Sequence, residues 1–414
     1  AQPLCCPSRV SMLTGRYPHN HGVRANTGAN GGYDRYMANG LDAVSWPAIL
    51  QTEYYTGMFG KFLNGYQRTA RPGLPKGWDW WFALGRGTAR PFNWKANLNG
   101  TTVSYSGATD AVYQTNVLAE QVVAAIGRKK EYKKPFAILF TPFSPHLPSR
   151  PALQFEGMYA AEPFAPASKP SFNEEDVTDK PGFLQSTGRL AAGRIAELAV
   201  EWRRMLESAR SVDRAFQQIW QKLESDGQLA NTFILFASDN GFSWGEHRIT
   251  KKMMPYQESI KSTMYVWGPG VVPGVDPRIV SNIDFLPTFA EIAGMRVPDP
   301  VDGRSMLPLL RNETANWRTS FLTQGFPAEA SDAGKRRGND YRVLVTSDWV
   351  YIRYADEAEF YDLTADPFQT KNAVRSLDPE FVASVERRLD LLSRCSGSNC
   401  QPIEDAPLPV RTKE

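Results

Sequence analysis

The stretch Leu4-Cys5-Cys6-Pro7-Ser8-Arg9-Val10-Ser11-Met12-Leu13-Thr14-Gly15-Arg16 decides how the rest of the chain is read. Pro7 suits the first turn of a helix, because its φ is already fixed there and its missing N–H is not needed. That reading puts Cys5 just before a helix N-terminus. Free backbone N–H groups and the helix dipole favour an anion at such a place and lower a thiol pKa. Arg9 lies one turn further in, with a planar fork of donors suited to an anion. Taken alone, Cys5-Cys6 reads first as a pair of buried structural thiols at a helix start.

Outward from this segment, strands alternate with helices. Phe136 to Phe140 is a short apolar run that ends in the Pro-rich loop Thr141 to Pro148. Phe233 to Ala237 ends in Ser238-Asp239-Asn240-Gly241, and Met264 to Trp267 ends in Gly268-Pro269-Gly270. All three read as buried strands. Leu198, Trp202, Met205, Ala209, Val212, Phe216, Ile219 and Leu223 recur at helical spacing, with Gly227 as a C-cap. Asp110 to Gly127, Pro287 to Ala293 and Glu380 to Leu392 are further helices. Strands spaced by helices predict an α/β fold with a mostly parallel sheet. After Trp317 the texture changes to short β-like runs, Arg342 to Thr346, Val350 to Tyr354 and Glu359 to Tyr361. These predict a small antiparallel sheet closed by the last helix. The domains expected are therefore residues 1–317 and 318–414. Asn26 to Gly40 is Gly- and Asn-rich and reads as a flexible loop.

Lys plus Arg number 47 against 44 Asp plus Glu, a formal net charge of +3. That balance excludes a polycation binding nucleic acid by bulk charge, and 42% hydrophobic residues exclude wholesale disorder. Four Cys cannot staple 414 residues, so this is no disulfide scaffold. No apolar run is long enough for a membrane span.

Several further stretches carry chemistry. Thr56-Gly57-Met58-Phe59-Gly60-Lys61-Phe62-Leu63-Asn64 holds a Gly-Lys that by itself reads as a turn with a solvated lysine. His146 lies in the loop after a strand, where α/β sheets bind ligands, although a lone His among prolines is more often structural. Asp239 and Asn240 also follow a strand and form a hard-oxygen pair suited to Ca²⁺ or Mg²⁺, or simply an Asn-Gly turn. Lys252 lies thirteen residues past Asp239, beside Lys251, with Glu246-His247 between. Cys395 and Cys400, separated by Gly- and Ser-containing residues, suit a small disulfide loop. A zinc site is the rival reading. A disulfide points to an oxidising compartment.

Cys-X-Pro-Ser-Arg followed by Leu-Thr-Gly-Arg resembles the signature of the type I sulfatases of the alkaline phosphatase superfamily. The resemblance runs from residue 1 to about residue 395. It implies an alkaline-phosphatase-like α/β fold and a sulfuric ester hydrolase. It also implies that Cys5 is oxidised to formylglycine by a separate formylglycine-generating enzyme. The hydrated aldehyde would then act as nucleophile and as metal ligand. Residue by residue, the resemblance gives Arg9, Lys61, His146 and Lys252 catalytic or sulfate-contacting roles, with His247 a further candidate near the substrate. Asp239 and Asn240 become ligands of Ca²⁺ or Mg²⁺. Leu63 stands where many sulfatases have His. The Gly-Lys-aromatic-Leu-Asn form is similar to the N-acetylglucosamine-6-sulfatase branch. The substrate implied is a 6-O-sulfated N-acetylglucosamine in a glycosaminoglycan or related glycan. The alternatives are a broad arylsulfatase, a phosphate or phosphonate ester hydrolase of the same superfamily, and an inactive binding or structural homologue.

Such sulfatases begin with a strand ending in two adjacent Asp that ligate the metal. Only four residues precede Cys5 here. The resemblance thus implies a chain truncated at its N-terminus, lacking its first strand. A signal peptide is expected on the missing segment, for a secreted, periplasmic or lysosomal protein.

Overall fold

The computed structural model describes residues 1–66, 74–85, 89–297, 299–327 and 340–411. The opening segment forms α1, Cys5–Thr14, so that Cys5 is its first residue rather than the one before it. Leu4 makes no side-chain cap. Asn26 does that work from a distance, its Oδ1 accepting the Cys6 N–H at 2.9 Å. Gly15 closes the helix at φ 67°, and a Cβ there would lie 2.7 Å from Val301 Cγ1. The segment read as a flexible loop contains a second helix, α2 (Gly32–Ala38). Tyr33 and Tyr36 are buried on it and meet the Phe62 ring edge-on. Two tyrosines three residues apart give that helix an apolar face, which outweighs the Gly and Asn around it.

The main sheet is built on β1 (Tyr55–Gly60), β2 (Trp80–Leu84), β3 (Trp94–Leu98), β4 (Thr101–Tyr105) and β5 (Phe136–Thr141). Its order is β4-β3-β2-β1-β5. The parallel pairs are β1 with β2 and β1 with β5, while β3 and β4 extend the sheet as an antiparallel hairpin. The sheet is therefore mixed and not mostly parallel, with the parallel strands β2-β1-β5 on one side and the antiparallel hairpin on the other. Helix α3 (Gln114–Gly127) lays Val117, Leu118, Val122 and Ile126 on Tyr55, Phe59 and Phe82. A long helix, α4, spans Ala192–Ser225, and Gly227 follows it at φ 65°. Strands β6 (Ile234–Ala237) and β7 (Met264–Trp267) form a separate antiparallel pair. Helix α5 (Phe285–Ile292) places Leu286 in the core around α1, with Val10, Leu13, Trp46 and Trp81.

The C-terminal sheet has the order β11-β10-β9-β8, all antiparallel. Its strands are β8 (Phe321–Gly325), β9 (Tyr341–Val345), β10 (Trp349–Arg353) and β11 (Ala358–Asp362). Helix α6 (Pro379–Leu392) starts at Asp378, whose side chain accepts the N–H groups of Glu380 and Phe381. It buries Phe381, Val385, Leu389 and Leu392 against Leu344, Trp349, Tyr351 and Phe360. Cys395 and Cys400 form a disulfide just beyond it. Among the described residues no helix is long and apolar enough to cross a membrane.

Candidate active site

Cys5 presents its thiol from the N-terminus of α1, almost fully buried. Three loops meet it, each leaving the end of a strand. The first follows β1. Gly60 sits at φ 121°, and a Cβ on it would lie 2.0 Å from the Thr141 carbonyl oxygen. Glycine therefore lets β1 and β5 close together just where Lys61 begins. Lys61 is locked by its N–H to Thr141 O at 2.8 Å and by Thr141 Oγ1 donating to Lys61 O at 2.7 Å. Its ammonium lies 5.7 Å from the centre of the Phe143 ring.

The second loop follows β5 and carries His146. The ring Nδ1 faces the Leu147 carbonyl. Nε2 then points inward and lies 3.4 Å from Lys252 Nζ. The third loop follows β6. Asp239 Oδ2 accepts from Arg9 Nε at 2.8 Å, and Arg9 Nη1 donates to Lys61 O at 2.7 Å. Arg9 thus ties the first and third loops to the helix. Lys252 Nζ donates to Cys5 Sγ at 2.8 Å and to Asn240 Oδ1 at 3.4 Å. Lys251, the neighbouring choice in the sequence, is exposed.

The electrostatics follow from this crowding. Burial alone would raise the Cys5 pKa. The hydrogen bond with His146 and the Lys61 and Lys252 charges outweigh it and bring the thiol down to about 5. Burial also opposes ionisation of Asp239, yet Arg9, Lys61 and Lys252 hold it at about 2. Burial and the Arg9 charge lower Lys61. Cys6, one residue along, behaves oppositely, because burial pushes its thiol up to about 12. Its sulfur accepts the Asn64 N–H at 2.9 Å, so it fastens the end of the Lys61 loop to α1.

The structure therefore brings together Cys5, Arg9, Lys61, His146, Asp239, Asn240 and Lys252. His247 is not among them. Its backbone turns at φ 51°, and its N–H donates to Ser171 O. The ring is fully buried, with Nδ1 2.9 Å from Glu174 Oε2. That carboxylate draws the imidazole away from the substrate side, which corrects the expectation from the sequence. Ser8 and Asn282 hold the site without having been singled out for it. Ser8 Oγ donates to Asp239 O at 2.5 Å and accepts from Asn282 Nδ2 at 3.0 Å. The Pro-Ser-Arg string is the sequence signal that marks Ser8.

A cavity of about 110 Å³ opens beside Asp239 and Asn240, also lined by Ser8 and Asn282. These are hard-oxygen groups of the kind a Ca²⁺ or Mg²⁺ takes. They do not fit such an ion alone. Among the described residues no cluster of three or more His, Cys, Asp or Glu surrounds a common point. The one carboxylate at the site already faces Arg9, Lys61 and Lys252.

Cationic and imidazole side chains at the ends of strands in an alkaline-phosphatase-like α/β fold, gathered round a helix N-terminal cysteine, make a site suited to an ester with an anionic centre. Residues 1–295 match the family model described as Sulfatase, and residues 245–393 match N-sulphoglucosamine sulphohydrolase, C-terminal. The chain belongs to the sulfatase family and is a sulfuric ester hydrolase. Human N-acetylglucosamine-6-sulfatase is 31% identical over 434 residues, covering 96% of this chain and 78% of that protein. An extracellular sulfatase SULF-1 homolog of Drosophila melanogaster is 30% identical over 340 residues, covering 78% of this chain and 29% of that one. A solved structure in complex with its substrate, D-glucosamine-2-N,6-O-disulfate, shares the fold at a TM-score of 0.70 and 23% identity. That likeness covers 95% of this chain and 87% of the other.

Proposed function

We propose that the chain removes the 6-O-sulfate from N-acetylglucosamine residues of a glycosaminoglycan or related glycan. The observation that carries this reading is the convergence of Lys61, His146 and Lys252 on Cys5, in a chain 31% identical to an N-acetylglucosamine-6-sulfatase. Oxidation of Cys5 to formylglycine by a separate enzyme would supply, as the aldehyde hydrate, an oxygen nucleophile that a thiol does not offer. The chain's own residues do the rest. Lys61 and Lys252 neutralise the sulfate oxygens in a water-poor site, where fixed charge acts most strongly on a developing transition state. Arg9 orients Asp239 and the Lys61 loop rather than meeting the ester directly. His146 stands at the exposed mouth, placed in its protonated form to give a proton to the departing sugar oxygen as the S–O bond breaks.

Asp239 and Asn240 are proposed as ligands of Ca²⁺, or Mg²⁺, with further oxygen donors needed to complete the shell. No step above depends on that ion. The disulfide and the similarity to an extracellular sulfatase support export from the cytosol.

Two measurements on protein matured in its native host test the reading. Mass spectrometry of the peptide spanning Cys5 is expected to show the aldehyde in place of the thiol. Sulfate release is expected from N-acetylglucosamine 6-sulfate in preference to nitrophenyl sulfate and nitrophenyl phosphate. An intact Cys5 thiol, or a preference for the phosphate ester, would sink it.

A further inference from the structure

Lys252 reaches Cys5 from a loop that is anchored on both sides. On its N-terminal side the loop closes on itself, with Ser243 N–H donating to Lys251 O at 3.0 Å and Gly245 N–H to Ile249 O at 2.8 Å. Met253 then turns the chain at φ 76° and drives Met254 and Tyr256 into the interior. Both pack among Tyr341, Val343, Val350, Ile352 and Tyr361 of the C-terminal sheet.

Tyr256 is more than packing. Its hydroxyl donates to Glu359 on β11, 2.9 and 3.1 Å from the two carboxylate oxygens. Glu359 has no exposed surface and takes two more hydroxyls, Tyr354 at 2.8 Å and Tyr361 at 2.5 Å. The other face of the Tyr256 ring stacks on His247 at 4.2 Å, and His247 is held by Glu174. One residue on, Gln257 N–H donates to Gln369 Oε1 at 2.8 Å. A buried carboxylate that accepts three hydroxyls is a stiff, directional anchor, because any displacement leaves polar groups unpaired away from water.

We infer that Glu359 is a positioning residue for the sulfatase reaction, acting through Tyr256 to fix the backbone that aims Lys252 at Cys5. The C-terminal sheet thereby takes part in catalysis without touching the substrate. It also gives the buried His247 a role, as the second wall against which Tyr256 is held. The inference rests on the reading of Lys252 as a sulfate-contacting group.

The test exploits the two ends of the anchor. Tyr256→Phe and Tyr354→Phe each remove one hydroxyl from the same carboxylate, but only Tyr256 lies on the Lys252 loop. In protein matured in its native host, Tyr256→Phe is expected to lower kcat for nitrophenyl sulfate about tenfold, as misplacement of a catalytic group does. Tyr354→Phe is expected to keep kcat within about twofold of wild type while lowering the melting temperature about as much as Tyr256→Phe does. Equal effects of the two variants on kcat, or a Tyr256→Phe enzyme within about twofold of wild type, would overturn the inference. Lys252→Ala is the separate check on the premise. Undiminished turnover there removes the site reading itself, and the inference with it.

Discussion

At the scale of single residues, neighbours in sequence carry opposite chemistry. Cys5 and Cys6 differ only in which way α1 turns them, yet one thiol lies at about 5 and the other at about 12. The motif's spacing selected Cys5, and the cations around it supply the physical reason. Lys61, His146, Asp239, Asn240 and Lys252 were singled out by the resemblance to the sulfatase signatures. For His146, Asp239 and Asn240 the preceding apolar run also read as a strand; the strand before Lys61, with its Gly57 and Gly60, did not. The inward turn of His247 was not legible, because a linear pattern carries no information about which side of a left-handed turn a ring will face. The two remaining histidines serve the fold. His19 bridges Gln324 and the Cys395 carbonyl. His21 is buried between Ser11 Oγ and the Val23 N–H. Burial, with the nearby His19 charge, lowers His21 from 6.5 to about 3. The folded protein therefore keeps His21 neutral where the unfolded chain takes up a proton. Stability is expected to fall by about 1.4 kcal/mol per pH unit on this account as pH drops below about 6.5. Urea midpoints measured from pH 7 to about 5 should show that slope, and His21→Gln should flatten it by one proton.

At the scale of elements, periodicity found the long helices but not all their ends, since a helix that buries one face must repeat its apolar side chains every three to four positions. The longest begins at Ala192, ahead of the periodic run from Leu198, and α3 begins at Gln114, not Asp110. The start of α6 was missed by one residue, and Met264–Trp267 was read with its observed ends. Strand β8 escaped because its run Phe321–Gly325 is short and half polar, and it is a strand only through pairing with β9. Helix α2 escaped because its glycines and asparagines masked two buried tyrosines. The two predicted layers do depend on their helices. Leu389 on α6 is fully buried against the C-terminal sheet. Leu389→Ala is expected to cost about 2–5 kcal/mol by chemical denaturation. Replacing the Asp378 cap by Ala should cost only about 1 kcal/mol. Equal losses would mean that the helix end, not its apolar face, secures the sheet.

At the scale of the molecule, the two halves meet through charges that no local pattern announces. Arg318 has no exposed side chain. It donates to Asp284 at 2.6 and 2.8 Å and to Glu404 at 2.8 Å. Glu404 also accepts from Tyr17 OH at 2.5 Å and Arg304 Nη2 at 3.0 Å. Partners 387 positions apart in sequence lie in one hydrogen bond. Such pairs become visible only once the chain is folded, which is why the boundary near residue 317 reads as a change of texture and not as a joint. Arg318→Ala would leave the buried Asp284 without its cation and Glu404 with Arg304 alone, at a cost of about 3–5 kcal/mol. Calorimetry should show one unfolding transition for the parent protein and a markedly lower, or split, transition for the variant.

The sealing of Cys5 sets an order of events in time. Cys5 has only 2% of its surface exposed, under a lid made by Lys252 and the loops after β1, β5 and β6. An enzyme that is to rework this sulfur has no way to grip it once the lid is down, because the segment around it is a buried helix. If Cys5 is oxidised as proposed, the step is expected in the interval between synthesis of the signature and arrival of Lys252, nearly 250 residues later in the chain. Activity is then a record of what happened to the nascent polypeptide. On that reading, a molecule that closes too early would stay inert however well it is folded.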